Sequence, residues 1–190
     1  MDTKVIQAFY GDGRGKTSAA VGQALRVCQD GWRIMIIQFL KGKEPDEFQI
    51  LSRLEPEVQF FRFDKSEVSY CELSIQEREQ EKQNILNGFN FAKKVIETGE
   101  SDIIILDELL GLVDLGIVEQ EDLVSLLTLE GDYKKLYVTG NQLDEALVAE
   151  FHRKKIMLDL LVQRCYPITN GRGAGFISRK SDMFGMDDGF

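Results

Sequence analysis

The stretch VIQAFYGDGRGKTSAAVGQALRVCQDGWRIMIIQFL, from Val5 to Leu40, decides the fold. Val5 to Tyr10 reads as a short strand that stops at a glycine-rich turn, Gly11-Asp12-Gly13-Arg14-Gly15. From Lys16 to about Asp30 the apolar positions Ala20, Val21, Ala24, Leu25 and Cys28 recur at helical spacing, and Gly31 stands where a helix would end. Arg33 to Leu40 is a second strand. It is apolar on both faces over Ile34 to Ile37, as parallel strands covered on both sides are.

The same alternation continues beyond it. Val58 to Phe63 is a weaker strand. Ser74 with Glu77 makes a capping-box pattern opening a long helix, whose stripe Ile85, Phe89, Ala92, Ile96 is closed by Gly99. Asp102 to Leu106 is an isoleucine-rich buried strand ending in Asp107-Glu108, and one or two helices cover about Leu109 to Leu127. Lys134 to Thr139 is a strand ending at Gly140, followed by a helix over Leu143 to Lys155 and a strand over Leu158 to Arg164. These elements predict one α/β domain over residues 1–166, with a mostly parallel sheet, helices on both faces and a P-loop NTPase-like (RecA-like) build. Residues 167–190 form a glycine-rich tail of the same domain. In open sheets of this kind ligands bind at the carboxyl ends of the strands, where both conspicuous motifs of the chain lie.

The first motif is Gly11-Asp12-Gly13-Arg14-Gly15-Lys16-Thr17-Ser18. Alternating glycines permit positive φ and close backbone approach. Their N–H groups converge beside the positive end of the following helix, a ready anion site. Lys16 adds a mobile cation for phosphate oxygens, and the Thr17 hydroxyl suits a divalent ion. The general phosphate-loop pattern asks for glycine where this chain has Tyr10, so the loop is a variant. Its eight residues are the candidate ATP-binding set, with Lys16 also a candidate catalytic residue.

The second motif is Ile103-Ile104-Ile105-Leu106-Asp107-Glu108. In phosphate-loop proteins a carboxylate at this strand end holds Mg²⁺, which prefers hard oxygen ligands and keeps most of its waters. Thr17 and Asp107 are therefore the candidate ligands of Mg²⁺ (or Mn²⁺), and Glu108 a candidate catalytic residue. An acidic pair also suits the first turn of a helix.

Charge and composition exclude several classes. The formal net charge of −9 lacks the basic footprint that nonspecific nucleic-acid binding needs. No apolar run approaches the roughly 18 residues of a membrane span, and the start of the chain has no apolar signal region, so a cytoplasmic location is expected. Cys28, Cys71 and Cys165 lack CxxC spacing and read as packing, as does Trp32. The single histidine, His152, sits in a charged HRKK run that reads as a solvated face and excludes a multi-histidine metal site.

Gln7 to Gly42 resembles the N-terminal signature of the corrinoid adenosyltransferases, which share the variant loop and a strand ending like Gln38-Phe39-Leu40-Lys41-Gly42. Ile103 to Val118 is similar to the family's Leu-Asp-Glu segment, and Tyr137-Val138-Thr139-Gly140 to its Thr-Gly strand end. The resemblance spans about residues 5 to 165. Three departures stand out. Asn141 occupies the place of the family's usual Arg, Gln59 to Lys65 replaces an aromatic Gly-Phe-Thr-Trp segment, and the tail RGAGFISRKSDMFGMDDGF differs from the family's ending. The resemblance implies transfer of the 5′-deoxyadenosyl group of ATP to Co(I) of a corrinoid, with triphosphate leaving. It also implies a flavoprotein reductase as electron donor and a homodimer.

Asn141 is a candidate ATP contact by this reading, although asparagine at a strand end is also a common turn former. Phe61 and Phe63 are the candidate corrinoid contacts; their alternation equally suits the core face of a strand. Other classes stay open at this point: a small-molecule kinase with Arg172 and Arg179 as lid, an NTP hydrolase with Glu108 orienting water, or a non-catalytic nucleotide-gated corrinoid carrier.

Overall fold

Ile34 to Ile37 and Ile103 to Leu106 are buried on both faces, and they form two adjacent interior strands of a six-stranded sheet. A computed structural model describes residues 5–12, 15–40, 49–153 and 157–162. In chain order the elements are β1 (Val5–Tyr10), α1 (Lys16–Val27), β2 (Ile34–Gln38), β3 (Val58–Arg62), α2 (Ile75–Thr98), β4 (Ile103–Asp107), α3 (Gly111–Asp114), α4 (Gln120–Leu127), β5 (Lys135–Gly140), α5 (Glu145–Arg153) and β6 (Met157–Val162). Short 3-10 turns at Gln49–Leu54 and Tyr70–Glu72 flank β3 and α2, and neither shows a periodicity long enough to read from sequence. All neighbouring strands are parallel, in the order β3-β2-β4-β5-β1-β6.

Side chains alternate across this sheet with a period of two. On one face Phe9, Ile34, Ile36, Ile103, Ile105 and Tyr137 pack on Ala20, Val21 and Ala24 of α1. On the other, Ile6, Met35, Ile37, Ile104, Leu106 and Val138 meet Ile85, Phe89 and Ala92 of α2, with Leu112, Leu123 and Leu147 from α3, α4 and α5. Burying each isoleucine contributes about 1.5–3 kcal/mol, and a strand apolar on both faces can lie only between two such layers. The expected α/β architecture with helices on both faces is the one observed.

Several boundaries differ from the sequence reading. Helix α1 ends at Val27, because Cys28 takes extended backbone and a Gln29–Trp32 turn follows, with Gly31 at φ 78°. Strand β4 begins at Ile103 because Asp102 turns the chain: its carboxylate accepts the Arg33 N–H and its carbonyl the Lys134 N–H. Helix α5 starts at Glu145 because the Asp144 side chain caps it through the Ala146 N–H. Gly116, at φ 62°, splits the Leu109–Leu127 region into two helices. Ser74 and Glu77 form the full capping box of α2, and Gly99 closes that helix at φ 63°. Trp32 packs on the α1 face as expected, but Cys71 is exposed rather than packed. Gly13, Arg14, Lys41, Gly42, Lys154, Lys155, Cys165, Arg172, Arg179 and the tail lie outside the described residues.

Candidate active site

The register brings the carboxyl ends of four strands level: Gln38 pairs with Asp107 and Tyr10 with Gly140. At the end of β1 the chain turns through Gly11 at φ 123° and Gly15 at φ 106°, conformations that side chains beyond hydrogen resist. Helix α1 then starts at Lys16 with no acidic residue in its first turn. The positive end of its dipole therefore meets no carboxylate from its own first turn and favours an anion there. Lys16 is 4% exposed. Its ammonium donates to the Gly11 carbonyl and to Asn141 Oδ1, both at 2.9 Å. The Asn141 carbonyl in turn accepts the Gly11 N–H at 3.0 Å. Asn141 thus stands at the loop, and the Gly11 N–H serves to anchor that loop. Asp12 and Ser18 are exposed on either side of it.

Asp107 is fully buried. A carboxylate there must replace its lost hydration with hydrogen bonds. Thr17 Oγ1 and Thr139 Oγ1 each donate to Asp107 Oδ1 at 2.7 Å, and Gln38 Nε2 donates to Oδ2 at 2.8 Å. The Thr17 hydroxyl thus spends its proton on Asp107 at the base of the loop. Glu108 follows at φ 58°, a left-handed backbone unusual for a side-chain-bearing residue. Its N–H donates to Thr139 Oγ1 at 2.8 Å. Strain of this sort is retained where a fold presents groups to a ligand.

Gln38 and Thr139 went unremarked as site residues in the sequence reading. Their signal is a polar residue closing an otherwise apolar buried strand, IMIIQ in β2 and LYVTG in β5. The candidate Phe61 and Phe63 stand elsewhere, on and just after edge strand β3. Both rings lie against Phe91 of α2, with centroids 5.0 Å and 5.4 Å away.

The family model for ATP:corrinoid adenosyltransferase BtuR/CobO/CobP matches residues 2–157. The chain belongs to that family. Membership makes it an enzyme, a corrinoid adenosyltransferase. Among curated relatives, the corrinoid adenosyltransferase of Escherichia coli strain K12 is 29% identical over 136 residues, 72% of this chain and 67% of that one. Corrinoid adenosyltransferase CobA of Salmonella typhimurium is 28% identical over the same coverage. Domain III of the Thermotoga maritima replication initiation protein DnaA aligns at TM-score 0.39 and 16% identity, over 84% of this chain and 55% of that one. The fold assignment rests on the strand order and the loop rather than on that alignment. Among the described residues no helix is long and apolar enough to cross a membrane.

Proposed function

We propose that this enzyme transfers the 5′-deoxyadenosyl group of ATP to Co(I) of a corrinoid, cobalamin or cobyrinic acid a,c-diamide, and releases triphosphate. The observation that carries the reading is the meeting of Lys16, Thr17, Asp107 and Asn141 at one end of the sheet, in a chain of this family. In the reaction the cobalt electron pair attacks C5′, the Co–C bond forms and the C5′–O bond breaks. Cobalt is thereby oxidised formally from Co(I) to Co(III), and the leaving triphosphate takes the bond electrons.

Co(I) has no proton to lose, so the protein needs no histidine or cysteine base. Its task is to position the nucleotide and to stabilise charge on the leaving group. Lys16 exchanges the Gly11 and Asn141 oxygens for phosphate oxygens, and the Asn141 amide is left to contact the nucleotide. Glu108, on its left-handed backbone just beyond Asp107, is the second candidate catalytic group. Arg14 is read as a further phosphate donor.

The donor set at Thr17 and Asp107 fits a magnesium ion: hard oxygens, one charged, held together in a dry corner. Among the described residues no three His, Cys, Asp or Glu side chains converge, which suits an ion held mostly by phosphate and water. When bound, such an ion supplies positive charge to the triphosphate. Thr17 would ligate it directly and Asp107 through Thr17 and water. Phe61 and Phe63 are retained as acceptor-side candidates, and a flavoprotein reductase and a homodimer as partners.

Anaerobic incubation with ATP, Mg²⁺ and chemically reduced cobalamin tests the reading. Adenosylcobalamin by absorbance, with triphosphate as the phosphate product, is the expected result. ADP or free phosphate without a cobalt–carbon bond overturns it.

A further inference from the structure

The buried stripe of α2 runs through Ile85, Phe89 and Ala92, and one turn nearer its start it is continued by an acid, Glu81, only 6% exposed. Its carboxylate is satisfied from outside the stripe. Glu81 Oε1 accepts two consecutive backbone amides, Lys65 N–H at 2.6 Å and Ser66 N–H at 3.0 Å, and Oε2 accepts Asn84 Nδ2 at 2.9 Å. The same segment is docked a second time. A Cβ built on Gly88 would lie 2.9 Å from ring carbons of Phe63, so Phe63 rests against the helix where it has no side chain. Residues 63–66 are thus fastened along α2 at two points.

Their place in the fold gives the clamp its meaning. Helix α2 follows β3 and leads back to the start of β4, so its first turns stand at the carboxyl end of the sheet, the end bearing Lys16 and Asp107. From β3 to β1 there are four strand spacings (β3 to β2, β2 to β4, β4 to β5, β5 to β1), roughly 19 Å. The clamped segment therefore belongs to the side of the site away from the phosphate loop. Between the two lie the only described side-chain-bearing residues with left-handed backbone, Leu40 at φ 60° and Glu108 at φ 58°, ending adjacent strands. Leu40, Ser66 and Glu81 line one small cavity of about 10 Å³, which joins the clamp to that strained strand end. A groove of about 340 Å³ opens beside it, lined by Lys65, Ser66, Gln80 and Asn84 together with Leu73 and the acids Glu77 and Glu81. Its amide, hydroxyl and carboxylate groups offer both donors and acceptors to the amide-bearing rim of a corrinoid.

We infer that Glu81 is a positioning residue for the corrinoid acceptor, holding the Lys65–Ser66 backbone as a wall of the acceptor side of the site. The inference rests on the adenosyl-transfer reading above. Lys65 and Ser66 touch the acceptor; Glu81 acts through them.

The test is steady-state kinetics of the full chain with ATP and reduced cobalamin varied separately. Glu81→Ala raises KM for the corrinoid roughly ten- to hundredfold, the equivalent of one lost charge-assisted hydrogen bond. KM for ATP stays within about twofold, a split that general loosening of the fold does not produce. Glu81→Gln, whose amide oxygen can accept both N–H groups while Asn84 turns its amide over, recovers most of the wild-type KM. Should the alanine variant fail to fold, Glu81→Asp carries the same test, since it keeps the charge and falls one methylene short. Equal movement of both KM values, or of neither, overturns the inference. Failure of the wild-type chain to form a cobalt–carbon bond instead strikes the adenosyl-transfer reading itself.

Discussion

Thr17 Oγ1 donates to Asp107 Oδ1 at 2.7 Å, across 90 residues of chain. The bond joins the start of the first helix to the end of a strand two places away in the sheet. It also makes a single unit of the two groups proposed to hold the metal.

Asp107→Asn tests that unit. The amide is nearly isosteric, and Gln38 can turn its own amide to meet it, so the variant is expected to stay folded. It loses the charge. The kcat/KM for adenosyl transfer is expected to fall about 10²–10³-fold, with the response to added Mg²⁺ flattened. A Mg²⁺ titration of activity, with circular dichroism as the control for folding, checks this. An unaltered Mg²⁺ response removes Asp107 from the metal site.

Lys16→Ala removes the cation that now sits on Gly11 O and Asn141 Oδ1. Gly11 is half-buried and Asn141 exposed, so water can replace the ammonium and the fold is expected to persist. Loss of a preorganised donor to the leaving triphosphate raises the barrier by about 3–4 kcal/mol. Unchanged kcat/KM in this variant would sink the phosphate-loop assignment.

Gly140 is held to glycine by its neighbour across the site. An added Cβ would lie 2.4 Å from Leu110 Cβ, and both residues are buried. Gly140→Ala is expected to cost about 1–3 kcal/mol of stability through overpacking, read as a lower urea midpoint. A midpoint equal to wild type would mean that Leu110 yields freely.

Asp64 supplies a pH prediction. Burial pushes its carboxyl above the ordinary 3.8, while the Arg62 guanidinium 3.1 Å away pulls it partly back. A raised folded pKa means the native chain holds the proton more tightly than the unfolded one. The stability from this group is therefore full below the ordinary value and lost as pH rises through the raised one. Asp64→Asn cannot ionise, so its Tm is expected to exceed that of wild type at pH 8 and to converge with it as pH falls through the carboxylate range. A gap that widens toward low pH contradicts the assignment.

Much of this was legible in the residues. Ile34–Ile37 and Ile103–Leu106 are apolar on both faces, which only a covered parallel strand satisfies. The Ser74–Glu77 capping box and Gly99 marked both ends of α2 within a residue of where they lie. Thr17 and Asp107 were expected near each other only as ligands of one metal ion, since strand ends share one edge of such a sheet; the hydrogen bond between them was not read from the residues. Less legible were Gln38, Thr139 and Glu81. Gln38 and Thr139 look like one polar residue in an apolar strand, and Glu81 like one more acid in the polar run Gln76–Asn84, until their partners are known.

By itself, then, the sequence determined the α/β class, the phosphate loop and the acidic strand end, since periodicity, glycine placement and caps act over a few neighbouring residues. Only the tertiary structure decided that Gln38 and Thr139 share Asp107, that Asn141 holds Lys16 and that Glu81 holds Lys65 and Ser66. The first three pairs are 69, 32 and 125 residues apart and meet because the strands lie in the order β3-β2-β4-β5-β1-β6. That order is set by packing of the whole core, which no local pattern encodes.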